Sequence, residues 1–163
     1  MDIAYLKLRI ETKAEYEEFK KKYEYKRKEI KRAEIKNIFT GFKNFFKADG
    51  SFKFKQNDHS ITAEYMGYYV VLDMDIYKNI DSEDFLLHGS IKTYEREIYN
   101  FTAEGVCNVE ILQPAHIDKQ EKLTHDIRFY KDFLDGKIFY TFSYKIEGQE
   151  ESYTSIEELM HAL

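Results

Sequence analysis

The chain has 163 residues and a formal net charge of −5, with 43% hydrophobic and 34% charged residues. This length fits one ordinary domain, and the composition excludes a disordered or fibrous chain. Cys107 is the only cysteine, which excludes an internal disulfide, and no apolar run approaches the roughly 18 residues of a spanning helix. We therefore expect a single cytoplasmic α+β domain over residues 1–163, with no cofactor, no bound metal and no membrane partner.

The predicted elements begin with a strand and a long helical region. Residues 3–10 alternate between apolar and polar, as in a half-buried strand, and Thr12 and Glu15 have the spacing of a capping box. The helical stretch that follows, to about Lys47, has apolar stripes on two different sides. These stripes consist of Tyr16, Phe19, Tyr23 and Ile30, and of Ile35, Ile38, Phe42 and Phe45. Because one straight helix cannot bury both against one surface, we expect a kink or break near residues 31–37.

Strand signals dominate the middle of the chain, after a turn at Asp49-Gly50. The predicted strands are residues 52–56, 60–65 and 68–77, two strands within 85–104, and residues 109–112, which Pro114 ends. The strands follow one another in runs rather than alternating with helices, which indicates a mainly antiparallel sheet.

The last third of the chain returns to helices. Asp118 and Glu121 begin a helix that Gly136 ends, residues 137–146 alternate as a strand, and Ser155 caps a short final helix. The predicted fold is therefore α+β, with a mainly antiparallel curved sheet. A long, kinked or broken N-terminal helical region and two shorter C-terminal helices are expected on one face of this sheet.

Asp73 and Asp75 follow an apolar run, and strand alternation places both carboxylates on one face, close enough to share a divalent cation. Over about eight residues this pattern resembles the metal-binding strand of primase-polymerases and of nucleotidyltransferases. The resemblance implies metal-dependent phosphoryl transfer or nuclease activity, with His88 on a following strand. The chain lacks the Gly-Ser helix start of nucleotidyltransferases and the serine of the Ser-x-His strand of primase-polymerases. The same two residues also fit solvated aspartates at a strand end.

A basic segment lies in the long helical region. Its eight basic and two acidic side chains, with tyrosines between them, suit a nucleic-acid backbone or a protein partner. Glu-before-Lys pairs four residues apart also suit a solvated helix, and the pI of about 5.6 is low for a nucleic-acid-binding protein. The candidate partner-binding residues in this segment are Lys20, Lys21, Lys22, Tyr25, Arg27, Lys28, Lys31 and Arg32.

Charge is distributed unevenly along the chain. Residues 1–58 carry a net charge of +6 and residues 59–163 a net charge of −11. Near the C-terminus, Glu147, Glu150 and Glu151 have no basic residue among them. These three glutamates are candidate partner-binding residues, because a negative patch can attract a basic protein.

Glycine-rich phosphate loops and G-x-S-x-G elbows are missing, which favours a binding protein over an enzyme. The 14 Tyr and 13 Phe supply aromatic area typical of interfaces, and 20 Lys against 5 Arg indicates an AT-rich genome. We predict a non-catalytic protein-binding domain, of the type of a small phage or mobile-element inhibitor (anti-defence or immunity-like) of a larger enzyme. The alternatives are the phosphoryl-transfer domain and a nucleic-acid-binding module through Lys20–Arg32, and the aromatic stripes also favour homodimerisation.

Overall fold

The computed structural model describes residues 1–111 and 118–163. The chain divides into two compact units, a helical unit (residues 1–27 and 107–140) and a sheet unit (residues 28–106 and 141–163). The prediction of a single domain stays a prediction. Within the described residues, no helix combines the length and the hydropathy needed to cross a bilayer.

The predicted α+β fold is confirmed, with a long N-terminal helix, an open antiparallel sheet and shorter C-terminal helices. The helices are α1 (Ile3–Lys47), α2 (Ile76–Asp81), α3 (Lys119–Leu134) and α4 (Ile156–Ala162). The strands are β1 (Lys53–Gln56), β2 (Ser60–Tyr65), β3 (Tyr68–Asp73), β4 (Leu86–Lys92), β5 (Ile98–Cys107), β6 (Tyr140–Ile146) and β7 (Ser152–Tyr153).

The prediction of a strand over residues 3–10 is wrong, because α1 already begins at Ile3. The alternation that suggested a strand includes Leu6 and Ile10, which with Ile3 also repeat at helical spacing. The capping box is wrong as well. Thr12 lies inside α1, and its hydroxyl donates a hydrogen bond to the carbonyl of Leu8 at 2.9 Å.

The predicted break near residues 31–37 is also wrong, since α1 runs unbroken for 45 residues. Tyr16, Phe19 and Tyr23 of the first stripe lie in the helical unit, whereas Ile30 and the whole second stripe lie in the sheet unit. The two stripes therefore have different packing partners, and no break is needed. In the helical unit, Tyr23 contacts α3, with ring centroids 4.7 Å from Tyr130 and 5.0 Å from Phe133. In the sheet unit, the second stripe packs in the core described below.

In the helical unit, the predicted cap at the start of α3 is confirmed, because the Asp118 carboxylate accepts a hydrogen bond from the Glu121 N–H at 2.8 Å. Gly136 follows α3 with a φ of 79°, the left-handed conformation that favours glycine after a helix. Residues 109–111 form no strand, contrary to prediction. Leu112 and Pro114, the rest of that predicted strand, lie outside the described residues.

The seven strands lie in the sheet in chain order, so each strand neighbours the strands before and after it in sequence. The register follows the hydrophobic pattern, with Ile61 opposite Leu72 and Leu72 opposite Ile91. These residues are buried, and on the other face lie exposed residues such as Asp73 and Lys92. The sheet therefore has one apolar face and one polar face, as alternation predicts.

The apolar face of the sheet packs against the second half of α1 and against α4 in one hydrophobic core. The residues that α1 and α4 contribute to this core are Ile35, Ile38, Phe39, Phe42, Phe46, Ile156, Leu159 and Met160. The predicted cap of α4 is confirmed, since Ser155 accepts a hydrogen bond from the Glu158 N–H at 3.2 Å. This core fixes the strands whose connections form the site described next.

The third strand is shorter than predicted. β3 ends at Asp73, and residues 76–81 form the helix α2, which the sequence analysis missed. Asp75 accepts a hydrogen bond from the Lys78 N–H at 3.2 Å and so caps this helix. A short Asp-x-x-Lys helix start was read as the continuation of the apolar strand before it.

Candidate protein-interaction surface

Three hairpin connections meet at one end of the sheet. In an antiparallel sheet whose strands lie in chain order, alternate connections share an end. The β2–β3, β4–β5 and β6–β7 connections therefore lie at the same end. A backbone hydrogen bond supports this placement, because the Glu147 N–H after β6 donates to the carbonyl of Asn100 near the start of β5 at 2.8 Å. All three connections belong to the sheet unit.

The β2–β3 connection is a two-residue turn of Met66 and Gly67. Both residues have positive φ angles, 52° and 84°, as the tight type I′ hairpin turn requires. Asn-Gly is the preferred pair for this turn, because Asn tolerates the left-handed conformation and a long side chain does so at a cost. Met66 nevertheless occupies the first position, and its side chain is 78% exposed. A large apolar side chain is therefore presented to solvent from a strained position.

Aromatic side chains surround Met66. Tyr65 and Tyr68 are cross-strand partners beside the turn, and Tyr94 of the β4–β5 connection contacts Tyr68; all three are exposed. We call these three tyrosines and Met66 the tip surface. The Tyr68 and Tyr94 rings meet edge to face with centroids 5.4 Å apart, so two hairpins form one continuous patch.

The tip surface is anchored in the sheet unit through its aromatic neighbours. The Tyr65 ring lies 5.5 Å from the ring of Phe52, which lies 4.7 Å from that of the buried Phe46. A chain of ring contacts thus runs from the hydrophobic core to the exposed turn. Such contacts hold aromatic side chains in place and reduce the entropy lost when they bind a partner.

The β4–β5 connection adds carboxylates beside the aromatic rings. The Tyr94 hydroxyl donates a hydrogen bond to Glu95 at 3.1 Å, and Tyr99 donates one to Glu97 at 3.0 Å. Each hydrogen bond raises the pKa of its tyrosine above the ordinary value, because it stabilises the protonated phenol. At neutral pH these phenols are therefore donors, and the carboxylates carry the negative charge.

The β6–β7 connection carries the three glutamates that the sequence singled out. Glu147, Glu150 and Glu151 are all exposed on this connection. Tyr153 on β7 donates a hydrogen bond to Glu151 at 2.9 Å. With Glu95 of the neighbouring tip, these carboxylates give the end of the sheet a negative flank beside the tip surface. Their role in binding a partner stays a prediction.

The basic segment of α1 is only partly exposed. Lys20 and Lys22 lie near Glu24 and Glu18, at 4.0 and 3.1 Å. Arg32 pairs with Glu29 at 2.7 Å. These are the intrahelical pairs of a solvated helix. Partner binding by the segment stays a prediction.

Two of the predicted basic residues are not exposed. Arg27 is only 5% exposed, and its guanidinium lies 5.9 Å from the centre of the Tyr23 ring. Lys31 is completely buried, and its ammonium donates hydrogen bonds to the hydroxyl and the carbonyl of Ser82 at 2.7 and 3.2 Å. Both side chains therefore contact residues of their own units. The predicted surface therefore reduces to Lys20, Lys21, Lys22, Tyr25, Lys28 and Arg32.

Asp73 and Asp75 line one cavity together with His59, although the two carboxylates do not lie on one strand as the alternation suggested. Asp73 is exposed at the end of β3, opposite Ser90 of β4. Asp75 lies outside the strand as the cap of α2, and the exposed His88 lies two residues from Ser90. Within residues 1–111 and 118–163, no three His, Cys, Asp or Glu side chains are grouped to hold a metal ion. The phosphoryl-transfer alternative stays a prediction.

The sequence analysis missed the tip surface. It read Tyr65 and Tyr68 as strand residues, and alternation does not tell an exposed tyrosine from a half-buried one. One signal was available, because Met-Gly stands where a two-residue hairpin prefers Asn-Gly. An apolar residue at the first position of such a turn indicates that its side chain has a purpose other than closing the hairpin.

No family model matches the chain, and neither does any curated protein or any solved structure. The geometry of the three hairpin tips is therefore the observation from which a function is argued.

Proposed function

We propose that this protein is a non-catalytic protein-binding domain whose partner docks on the tip surface. The observation that carries the proposal is the exposure of three neighbouring tyrosines and Met66 on two adjoining hairpins. Tyrosine and methionine are enriched in protein interfaces, where they bury large areas at a low cost in side-chain entropy. Held by their neighbours, these side chains form a rigid anchor at the end of a stable sheet.

The position of Met66 supports this proposal independently. A left-handed conformation destabilises a non-glycine residue by roughly 1–2 kcal/mol, and an asparagine avoids most of that cost. With methionine at φ 52°, the folded state is therefore less stable than it would be with asparagine, and an apolar side chain is exposed at the turn. A contact with a partner is a physical reason for such a choice, because strained residues persist where function depends on them.

The charges around the tip surface favour a partner with a basic surface. The β4–β5 connection carries Glu95 and Glu97 with Arg96 between them, and the β6–β7 connection carries Glu147, Glu150 and Glu151, so acidic residues outnumber the basic one. Opposite charges around an apolar centre steer the encounter and fix the orientation of the complex. We infer that the partner is a larger enzyme whose basic surface is covered and inhibited by the domain. Phage anti-defence and immunity-like proteins act in this manner.

The proposal is tested by capture of partners on the immobilised full chain from nuclease-treated lysate of an AT-rich bacterium. Three chains are compared, the wild type, Tyr68→Ala and Tyr77→Ala. Tyr77 is the matched control, because it is 71% exposed on α2, at the other end of β3 from the tip surface. The same protein should be captured by the wild type and by Tyr77→Ala, and lost with Tyr68→Ala.

The captured protein is then purified and its affinity measured by calorimetry. Tyr68→Ala should weaken binding at least about tenfold, or 1.4 kcal/mol, as removal of an interface anchor does. Equal affinities for all three chains would disprove docking on the tip surface. Loss of every partner on nuclease treatment would instead favour the nucleic-acid-binding alternative through the basic segment of α1.

A further inference from the structure

The first turns of α1 carry an apolar stripe that the described residues of the helical unit leave exposed. Ile3, Leu6 and Ile10 are exposed, with 58% of Ile10 accessible to solvent, and Ala14 continues their spacing. At about 100° per residue these four side chains lie on one side of the helix. The ring contacts between α1 and α3 begin further along, at Tyr16. A helix seldom leaves such a stripe in water, because burying it is favourable.

Charged residues flank this stripe in a self-complementary order. Lys7 and Glu11 lie on one side of it, and Asp2 and Lys13 lie on the other, all four exposed. Each side therefore carries one positive and one negative residue four or more positions apart. When two such helices pair in opposite directions, the positive residue on each faces the negative residue on the other.

We propose that the stripe pairs with the same stripe of a second copy of this chain, as antiparallel helices about a two-fold axis near residue 8. In this register Leu6 lies beside Ile10 of the second copy, and Ile3 lies beside its Ala14. Lys7 then faces Glu11 of the second copy, and the symmetry repeats this pair. A two-fold interface of this kind uses the same patch on both chains, so each favourable contact occurs twice.

The groove beside the stripe provides room and further apolar surface. A cavity of about 620 Å³ lies between the start of α3 and the first turns of α1, lined by Leu6, Ile10 and Leu123 among others. The paired segment has only about three helical turns, less than the roughly 800 Å² per partner of a standard stable interface. The dimer should therefore be weak, with a dissociation constant on the order of 10–100 μM.

The first test is sedimentation equilibrium of the full chain from about 5 μM to about 1 mM, a range that brackets this constant. The wild type should show a monomer–dimer equilibrium. Ile10→Lys should raise the dissociation constant at least about tenfold, because it places two charges in the apolar seam. Leu8→Lys is the matched control, since Leu8 is 55% exposed on the other side of the helix. It should leave the constant unchanged within about twofold. A monomeric wild type, or equal effects of both variants, would overturn the proposal.

The second test determines the register by charge. Lys7→Glu alone places carboxylates opposite each other in the dimer, and Glu11→Lys alone places ammonium groups opposite each other. Each variant should be monomeric, because like charges that face each other are unfavourable. An equimolar mixture should dimerise, because every facing pair is again of opposite charge. Failure of the mixture to associate would overturn the antiparallel register, because intrahelical effects are the same alone and mixed. The tip surface takes no part in either test.

Discussion

The ring of Tyr68 meets the ring of Tyr94 edge to face, with centroids 5.4 Å apart and planes 72° from parallel. Tyr68 begins β3 and Tyr94 lies in the β4–β5 connection, so this contact joins two hairpins at their exposed ends. Edge-to-face pairs add roughly 0.5–1.5 kcal/mol beyond the area that they bury. The contact thus stabilises the surface that we propose for binding, independently of any partner.

Replacing Met66 should show how much its left-handed backbone conformation destabilises the folded state. Met66→Asn is expected to raise the free energy of unfolding by up to about 1 kcal/mol, because asparagine tolerates the left-handed backbone. The measurement is urea unfolding followed by circular dichroism. Met66→Leu, which keeps an apolar side chain, should change stability by less than about 0.5 kcal/mol. A less stable Met66→Asn would show that the methionine side chain itself stabilises the hairpin.

Asp84 should make stability depend on acid pH. Partial burial acts to raise the pKa of this carboxyl, but hydrogen bonds from the Leu86 N–H and the Ser82 hydroxyl, with the nearby Lys31, lower it below its ordinary value of 3.8. A lowered pKa in the folded state stabilises the fold above pH 3.8, and this contribution is lost as the pH falls through the folded value. Asp84→Asn should therefore be less stable than the wild type at pH 7.

The difference between wild type and Asp84→Asn should shrink when urea unfolding is repeated at progressively lower pH, below 3.8. Glu83→Gln is the matched control, because Glu83 is an exposed acidic neighbour in the same connection. It should follow the wild type throughout. A difference that is the same at every pH would mean that Asp84 acts through its shape rather than its charge.

Tyr144 should make stability depend on alkaline pH. Its buried hydroxyl donates a hydrogen bond to the Glu34 carboxylate. Burial first, and then this hydrogen bond, raises the pKa of Tyr144 above its ordinary value of 10.0. A raised pKa stabilises the fold below pH 10, and this contribution is lost as the pH rises and the unfolded chain ionises.

Tyr144→Phe should therefore cost roughly 1.5–3 kcal/mol at pH 7, the usual value of a hydrogen bond to a charged group, and its deficit should diminish above pH 10. The free energy of unfolding in urea, measured for the wild type and Tyr144→Phe at pH 7 and above pH 10, tests both expectations. Tyr25→Phe, at an exposed tyrosine of α1, should match the wild type at pH 7. A Tyr144→Phe deficit that grows with alkaline pH would contradict the expected direction of the dependence.

Gly89→Ala should destabilise the sheet unit. A Cβ at position 89 would clash with Cζ of Phe101, its partner across β4 and β5, and would lie 3.1 Å from Cγ of Met74. Both neighbours are buried, so the core must shift at a cost of roughly 1–3 kcal/mol. Thermal or urea unfolding measures the loss. Ser90→Ala, the next residue on the opposite face, should cost less than about 0.5 kcal/mol.

Where capping and turn residues agreed with the hydrophobic pattern, the sequence was sufficient to predict the helices and strands. Asp118 and Ser155 were predicted to cap helices, and both carry the expected hydrogen bonds. The hairpin of β1 and β2 and the pair β4 and β5 also lie where alternation and turn residues place them. Capping and turn formation depend on a few adjacent residues, so they can be read without knowledge of the tertiary structure.

Predictions failed where burial depends on distant partners. Leu6 and Ile10 fit both a strand and a helix, and only the whole of α1 decides between the two. Arg27 and Lys31 were candidate partner-binding residues, yet both are buried. The sequence does not show that Ser82, 51 residues away, supplies the partner of Lys31. The exposed tyrosines of the tip surface were missed for the same reason.

Because each strand neighbours only its neighbours in the chain, each connection joins two adjacent strand ends, and a longer connection leaves the order of the strands unchanged. Lengthening a flexible loop costs little, about 0.6 kcal/mol for each doubling. The connections at this end of the sheet can therefore be varied while the strand order is kept. A protein engineer could use their residues as the variable positions of a binding library.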